Sequence, residues 1–454
     1  MTTTRLPAQL SVAFVLTVCT GMVAVSIAYG RAVFTSIPVI DDWAFVQLLE
    51  QYTDRQIGLR HIFWLHNGHP SVFARIAFLL SARFDGLDLY VIRWLALVAV
   101  MATGIVVAVA MTLILTRQGD VAGFTQPGFL LAVPLAFAVC TTLGLWEIYT
   151  FAMGLGNASV TLFSFAAVFA FHAWLERRGA LWFVIALGCG LLAFANMGQG
   201  VLVFPAMAGM AALHPDRRRL KAVIASLLLM GALGFLLLML AGDGSGERLR
   251  GLGLSRVLAM VVALLGVPLF GQVRNAIVAP VTMVFGGAVA LLLTYALLRA
   301  LWASESQWRR MLPFLGCIAL GIGAMALVIV ARHSFPLDAA MSPRYVPIMS
   351  PLIVGLAGLL AVGAGWGSRG AHALVGLFAL AAVGLTVTNI EEVRMAGPRA
   401  SILTQMEAGY REGFEELTDA EIGRLAFIDA DFARMARQSN PFLRRERLSH
   451  FRSP

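Results

Sequence analysis

The chain has 454 residues, 59% of them hydrophobic and only 13% charged. A soluble domain is nearer half apolar and a quarter charged, so these proportions exclude a soluble enzyme, a disordered chain and a disulfide-stapled secreted fold. The net charge is +9, but all of the 34 basic residues except Lys221 are arginine. Scattered over loops, they set membrane topology and meet lipid headgroups rather than nucleic acid; the bias against lysine suggests a GC-rich bacterial genome.

Apolar runs near twenty residues recur along most of the chain, which predicts an all-α, polytopic transmembrane helix bundle. The runs are continuous rather than alternating, which excludes a transmembrane β-barrel. After Arg5 the sequence is apolar from Leu10 to Tyr29, too long for a signal-peptide core, so it reads as an uncleaved first span. Spans are predicted at 10–34, 90–116, 127–144, 149–174, 181–195, 199–213, 222–241, 276–298, 312–331, 346–366 and 371–389. The stretch 257–273 holds Gly266, Pro268 and Gly271 and suits a re-entrant hairpin. With the N-terminus inside, Arg117, Arg177–Arg178, Arg217–Arg219, Lys221, Arg299, Arg309 and Arg310 all fall on the cytoplasmic face if 257–273 does not cross, as the positive-inside rule requires. The expectation is therefore eleven crossings in the inner membrane of a bacterium, with the C-terminal tail in the periplasm. Cys19, Cys140, Cys189 and Cys317 lie inside apolar runs, so neither disulfides nor a zinc site is expected.

Two units follow: a transmembrane domain over 1–389, whose outer loop 35–89 carries an acidic pair, and a tail over 390–454. The tail alternates arginine with acidic residues. Thr418-Asp419-Ala420-Glu421 fits a capping box, and the tail reads as two or three amphipathic helices on the outer face or the membrane surface.

Polar complexity gathers on the outer face, where function is expected. The first outer loop runs from Asp41-Asp42-Trp43 through His61, His66-Asn67-Gly68-His69 and Arg75. Adjacent carboxylates repel, which raises the pKa of one of them and suits a general base for a hydroxyl. The simpler reading has Asp41 capping a short helix and Asp42 in solvent. His61, His66 and His69 either ligate a metal or, more simply, hydrogen-bond loop backbone, a phosphate or a sugar. A second stretch holds Arg332-His333 and Ser342-Pro343-Arg344-Tyr345. The two arginines can clamp a phosphate or snorkel at span ends, and Tyr345 can stack on a sugar. Glu147 lies almost within apolar sequence, where a carboxylate is expensive, unless it is a solvated loop residue. Asn196-Met197-Gly198-Gln199-Gly200 reads as a helical-hairpin turn. The glycine-rich loop 242–250 suits a lid and lacks a Walker lysine.

These pieces resemble a bacterial branch of the GT-C class of integral-membrane glycosyltransferases. The likeness rests on Asp41-Asp42-Trp43 just after the first span, on His66-Asn67-Gly68-His69 with Arg75, and on Arg344-Tyr345 at the outer start of a late span; the hydropathy layout matches over about 1–390. The resemblance implies transfer of a sugar from a polyprenyl-phosphate donor to an envelope glycan or lipid acceptor on the outer face. It implies Asp42 or Asp41 as general base, with Asp42 preferred because it lies farther into the loop. It implies Arg332, Arg344 and Arg75 against the departing phosphate, with His66, His69, Glu147, His333 and Tyr345 as further substrate contacts. No cofactor follows with certainty, though a divalent cation is compatible; the partners are the lipid-linked sugar, the acceptor and membrane lipids, not nucleic acid. Two other readings stand beside it. A transporter or flippase for a lipid-linked glycan needs ionisable groups near the midplane, where this sequence has few. An assembly protein would bind its partner through the tail.

Overall fold

The computed structural model describes residues 5–56, 58–63, 69–116, 125–241, 253–270, 278–332, 334–337, 341–363, 368–412, 418, 420 and 430–451. The described residues form an all-α polytopic bundle with no β-strand. In lipid the backbone must satisfy its own hydrogen bonds, so an apolar run of span length has little alternative to a helix.

The long apolar helices are α1 (Arg5–Val33), α4 (Leu89–Leu115), α5 (Pro127–Thr141), α7 (Gly154–Arg177), α10 (Lys221–Ala241), α12 (Val278–Ala300), α13 (Glu305–Arg332), α14 (Val346–Gly363) and α15 (Ser368–Glu412). These supply the nine helices, among the described residues, that are long and apolar enough to cross a membrane; the chain is a multi-pass membrane protein. Two further predicted spans appear as shorter helices, α8 (Ala180–Asn196) and α9 (Val203–Leu213), the latter led by a 3-10 turn at Gly198–Leu202. The stretch expected to be re-entrant holds α11 (Leu254–Gly266), about 20 Å long at 1.5 Å per residue and too short to cross alone. It packs on α12 through paired glycines: a Cβ on Gly266 would stand 2.0 Å from the Thr282 carbonyl oxygen, and one on Gly286 1.8 Å from that of Val262. Small residues let membrane helices approach this closely. At the centre lies α14, buried almost throughout, with Gly355 set against the Phe314 carbonyl of α13.

The loops segregate to two ends. At the basic end, Arg310 donates to the carbonyls of Ile114 (3.2 Å) and Leu115 (3.0 Å), Trp308 donates to that of Leu213 (2.8 Å), and Arg178 pairs with Asp216 at 3.4 Å. Every described loop expected on the cytoplasmic face is thus at one end. At the other, acidic end, α2 (Asp42–Thr53), α3 (Val72–Phe84), α6 (Trp146–Thr150) and α16 (Ala430–Arg445) build a second hydrophobic core. Trp43, Phe45, Phe78, Tyr410 and Phe442 lie inside it.

The tail is continuous with the bundle. Residue 390 is no break, because α15 runs unbroken for 45 residues, about 67 Å. It continues past the apolar stretch to Glu412, and α16 packs back on α2, where Ser439 donates to Glu50 at 3.3 Å. Of the expected capping box, Asp419 and Glu421 lie outside the described residues, as does the whole of the glycine-rich loop 242–250.

Candidate functional site

The acidic pair sits on a strained turn at the end of α1. Ile40 has φ of 49°, a conformation that a β-branched residue adopts only when its surroundings impose it. The two carboxylates that follow have separate environments. Asp42 is fully buried. Its Oδ2 accepts from Val39 N (3.1 Å), Ala152 N (3.2 Å) and Arg93 Nη2 (3.1 Å), and its Oδ1 accepts from Met153 N (3.0 Å). Arg93, in the second turn of α4, is equally buried. It donates from Nε to Thr150 O (2.7 Å), from Nη2 to Ile37 O (2.8 Å), and from Nη1 to Thr35 O. This pair therefore ties three chain segments together: 35–42, the first turns of α4, and 150–153. A buried charge needs this degree of compensation. Asp42 was the carboxylate expected to act as base, yet four donors already occupy it. Asp41 is half-buried, forms no side-chain cap on α2, and lies within electrostatic reach of Arg344.

A second acidic centre lies beside it. Glu147 is buried on the short helix α6, where Arg344 Nε donates to its Oε2 at 2.8 Å. Ser342 Oγ donates to both Glu147 oxygens (3.2 and 3.1 Å) and accepts from Arg344 Nε at 3.1 Å. Arg344 thus meets Glu147 through Nε, with 37% of its side chain exposed. Next to it the buried Tyr345 hydroxyl accepts from Arg332 Nε at 3.0 Å, and the Arg332 guanidinium lies 4.9 Å from the Phe335 ring. The sequence-predicted Asp41, Asp42, Glu147, Arg332, Arg344 and Tyr345 therefore gather at one end, from three segments up to about 300 residues apart.

The stalk of α15 braces both acidic segments. The Asn389 Oδ1 accepts from Thr142 Oγ1 (2.9 Å) and Leu143 N (2.8 Å), just ahead of α6. The Arg399 guanidinium stands 4.0 Å from the Trp146 ring, beside Glu147, and pairs with the buried Glu392 and with the Tyr29 hydroxyl. On the other side Trp43 Nε1, beside Asp42, donates to the Tyr410 hydroxyl at 3.3 Å.

His69 and Arg75 belong to a different junction. His69 Nδ1 accepts from Gly198 N at 3.3 Å. Arg75 donates to the carbonyls of His61 (2.9 Å) and Ile62 (3.0 Å) and packs on Phe45. Burial pushes its guanidinium down to about 10. Through these contacts Arg75 holds the first loop in shape. His66 and His333 lie outside the described residues. Among the described residues, no three His, Cys, Asp or Glu side chains are grouped to hold a metal ion.

Sequence reasoning passed over Arg93, Ser342, Tyr29, Glu392, Arg399 and Tyr410. For Arg93 a signal existed. An arginine in the opening turns of an apolar span marks an ion pair by default, and the acidic pair 51 residues earlier was its partner. Tyr410 carried no such signal, because its contact with Trp43 spans 367 positions. Searches against family models, curated proteins and solved structures find no match for this chain.

Proposed function

We propose that the chain is a membrane glycosyltransferase that moves a sugar from a polyprenyl-phosphate donor to a cell-envelope glycan or lipid acceptor, at the acidic end of the bundle. The observation that carries this reading is that a half-buried carboxylate, Asp41, lies within electrostatic reach of Arg344, which is bound into the Glu147–Ser342 cluster and adjoins the Arg332–Tyr345 pair. Transfer from a phosphate leaving group needs a base on the acceptor and cations on the departing phosphate. In this reading Asp41 takes the proton of the acceptor hydroxyl and that oxygen attacks the anomeric carbon. The bond from the anomeric carbon to the phosphate oxygen breaks, and the electron pair leaves with the phosphate. Arg344 and Arg332 meet the resulting charge. Glu147 fixes the Arg344 fork, and Asp42 with Arg93 holds the turn that presents Asp41.

The test is native mass spectrometry of the protein purified gently from its own membrane. We expect a polyprenyl phosphate to stay bound to the wild type and to be lost from Arg332→Ala and Arg344→Ala. Retention of bulk phospholipid alone, even after polyprenyl phosphate is added, overturns the proposal and favours an assembly role. Retention in wild type and both variants alike removes the phosphate role from the two arginines.

A further inference from the structure

The turn at 196–200, predicted to be an ordinary helical hairpin, meets the start of α3 in an arrangement that a plain turn does not require. Ser71 precedes α3 with φ of 48° and ψ of 36°, left-handed backbone that a serine adopts only at a cost in strain. Its hydroxyl does not cap α3, the use that serine normally serves there. Instead Ser71 N donates to the Asn196 carbonyl at 2.9 Å, and Gly198 N donates to His69 Nδ1 at 3.3 Å. The two segments are thereby stapled together. Within the staple, three buried side-chain atoms have no hydrogen-bond partner: Ser71 Oγ, Asn196 Oδ1 and Gln199 Nε2. Ser71 and Asn196 are 1% and 0% exposed. Asn196 Nδ2 donates to Leu192 O at 2.7 Å, which fixes Oδ1 as the acceptor that is left over.

Each such orphan destabilises the fold unless something fills it, and the three atoms define what fits. Asn196 Oδ1 accepts only, so it needs a donor, which excludes fully ionised anions such as sulfate and carboxylate. Gln199 Nε2 donates only, so it needs an acceptor, which excludes an ammonium group. Ser71 Oγ does either. A neutral group that both donates and accepts, a hydroxyl, satisfies all three. The junction also adjoins the acidic turn. Met153, whose amide holds Asp42, leads into α7, and a Cβ on Gly156 would stand 3.9 Å from the Asn196 carbonyl oxygen. That is one turn of helix, about 5 Å along its axis.

We propose that Ser71, Asn196 and Gln199 form a subsite for a neutral sugar hydroxyl, and that the acceptor glycan docks there beside the acidic pair. The acceptor assignment rests on the glycosyltransferase reading; the hydroxyl site itself does not. The test is hydrogen exchange on the full chain in lipid nanodiscs with a panel of methyl glycosides, using sulfate and methylammonium, which carry no hydroxyl, as controls. At least one glycoside should slow exchange threefold or more at 71–75 and 196–202, and sulfate and methylammonium should not. Asn196→Ala should abolish the protection; Gln199→Leu, which keeps the volume and removes the amide, should weaken it and serves if Asn196→Ala does not fold. No protection by any glycoside means an ordered water only and overturns the proposal. Protection that survives both variants, or equal protection by sulfate, overturns it as well. Polyprenyl phosphate retention is read on the same samples. Retention without glycoside protection overturns this site alone, whereas protection without retention overturns the transferase reading and leaves a sugar-binding site.

Discussion

Two neighbouring aspartates have been given unlike tasks by their surroundings. Asp42 is enclosed with Arg93 and three amides, and removing one member of such a buried pair leaves an uncompensated charge or donor, at a cost of about 3–5 kcal/mol. Arg93→Ala should therefore remove most folded protein from detergent extracts, read as loss of the monodisperse peak in size-exclusion chromatography, with Asp42→Asn close behind it. Asp41 lies outside that enclosure, half-buried and within electrostatic reach of Arg344. On the proposed transferase reading, Asp41→Asn should leave the peak in place and lower sugar transfer about 10²–10⁴-fold, the usual contribution of a positioned base. Equal transfer by Asp41→Asn and wild type would return the base to another carboxylate, with Glu147 next in line.

Among the elements, α15 does more than cross the bilayer. Its extension touches Trp146 through Arg399 and Trp43 through Tyr410, so it braces both acidic segments while α16 packs against α2. Tyr410→Phe removes the acceptor for the buried Trp43 indole and should cost about 1–3 kcal/mol, seen as faster hydrogen exchange across Asp42–Thr53. The docked tail also buries His450 against Tyr410 and Asn440. Burial, with the cations Arg411 and Arg444 nearby, pushes its imidazole from the ordinary 6.5 down to about 3. The undocked tail therefore binds the proton more readily than the docked one. Docking keeps its full stability above pH 6.5 and loses it as pH falls toward 3, by up to about 1.4 kcal/mol per pH unit. Exchange in Ala430–Arg445, corrected for the chemical rate, should rise roughly 25-fold between pH 7 and pH 5, and His450→Phe should flatten that rise. An unchanged rate in the wild type would show that the tail is held by contacts indifferent to His450.

For the whole molecule, the division into two ends is the feature with the widest consequence. The described cytoplasmic candidates, among them Arg178, Arg217, Arg309 and Arg310, stand at one end, and the acidic turn, Glu147 and the tail at the other. By the positive-inside rule we propose that the acidic end faces away from the cytoplasm. In a chain whose four cysteines are replaced by alanine, Gln56→Cys should react with an impermeant maleimide in intact spheroplasts. Ser306→Cys should react only after permeabilisation. The reverse pattern would put the acidic end in the cytoplasm and exclude an outer-face reaction.

The amino-acid sequence by itself determined the helices and their grouping into two ends. An apolar run in lipid has to close its own hydrogen bonds, and this holds whatever its neighbours are; nine helices of span length could be read one at a time from hydropathy, while the spans expected at 181–195 and 199–213 appear as the shorter α8 and α9. The acidic pair, Glu147, Arg332 and Arg344 were visible as polar residues at span ends, where charge is costly enough to be noticed. Their assembly was not. Nothing local to Asp42 says that its donors are Arg93, Ala152 and Met153, and nothing local to Trp43 points to Tyr410. Only the tertiary structure decided which of two adjacent carboxylates is enclosed with Arg93 and which lies within reach of Arg344. Such pairings join positions that share no periodicity, and they form only when packed helices bring distant span ends together.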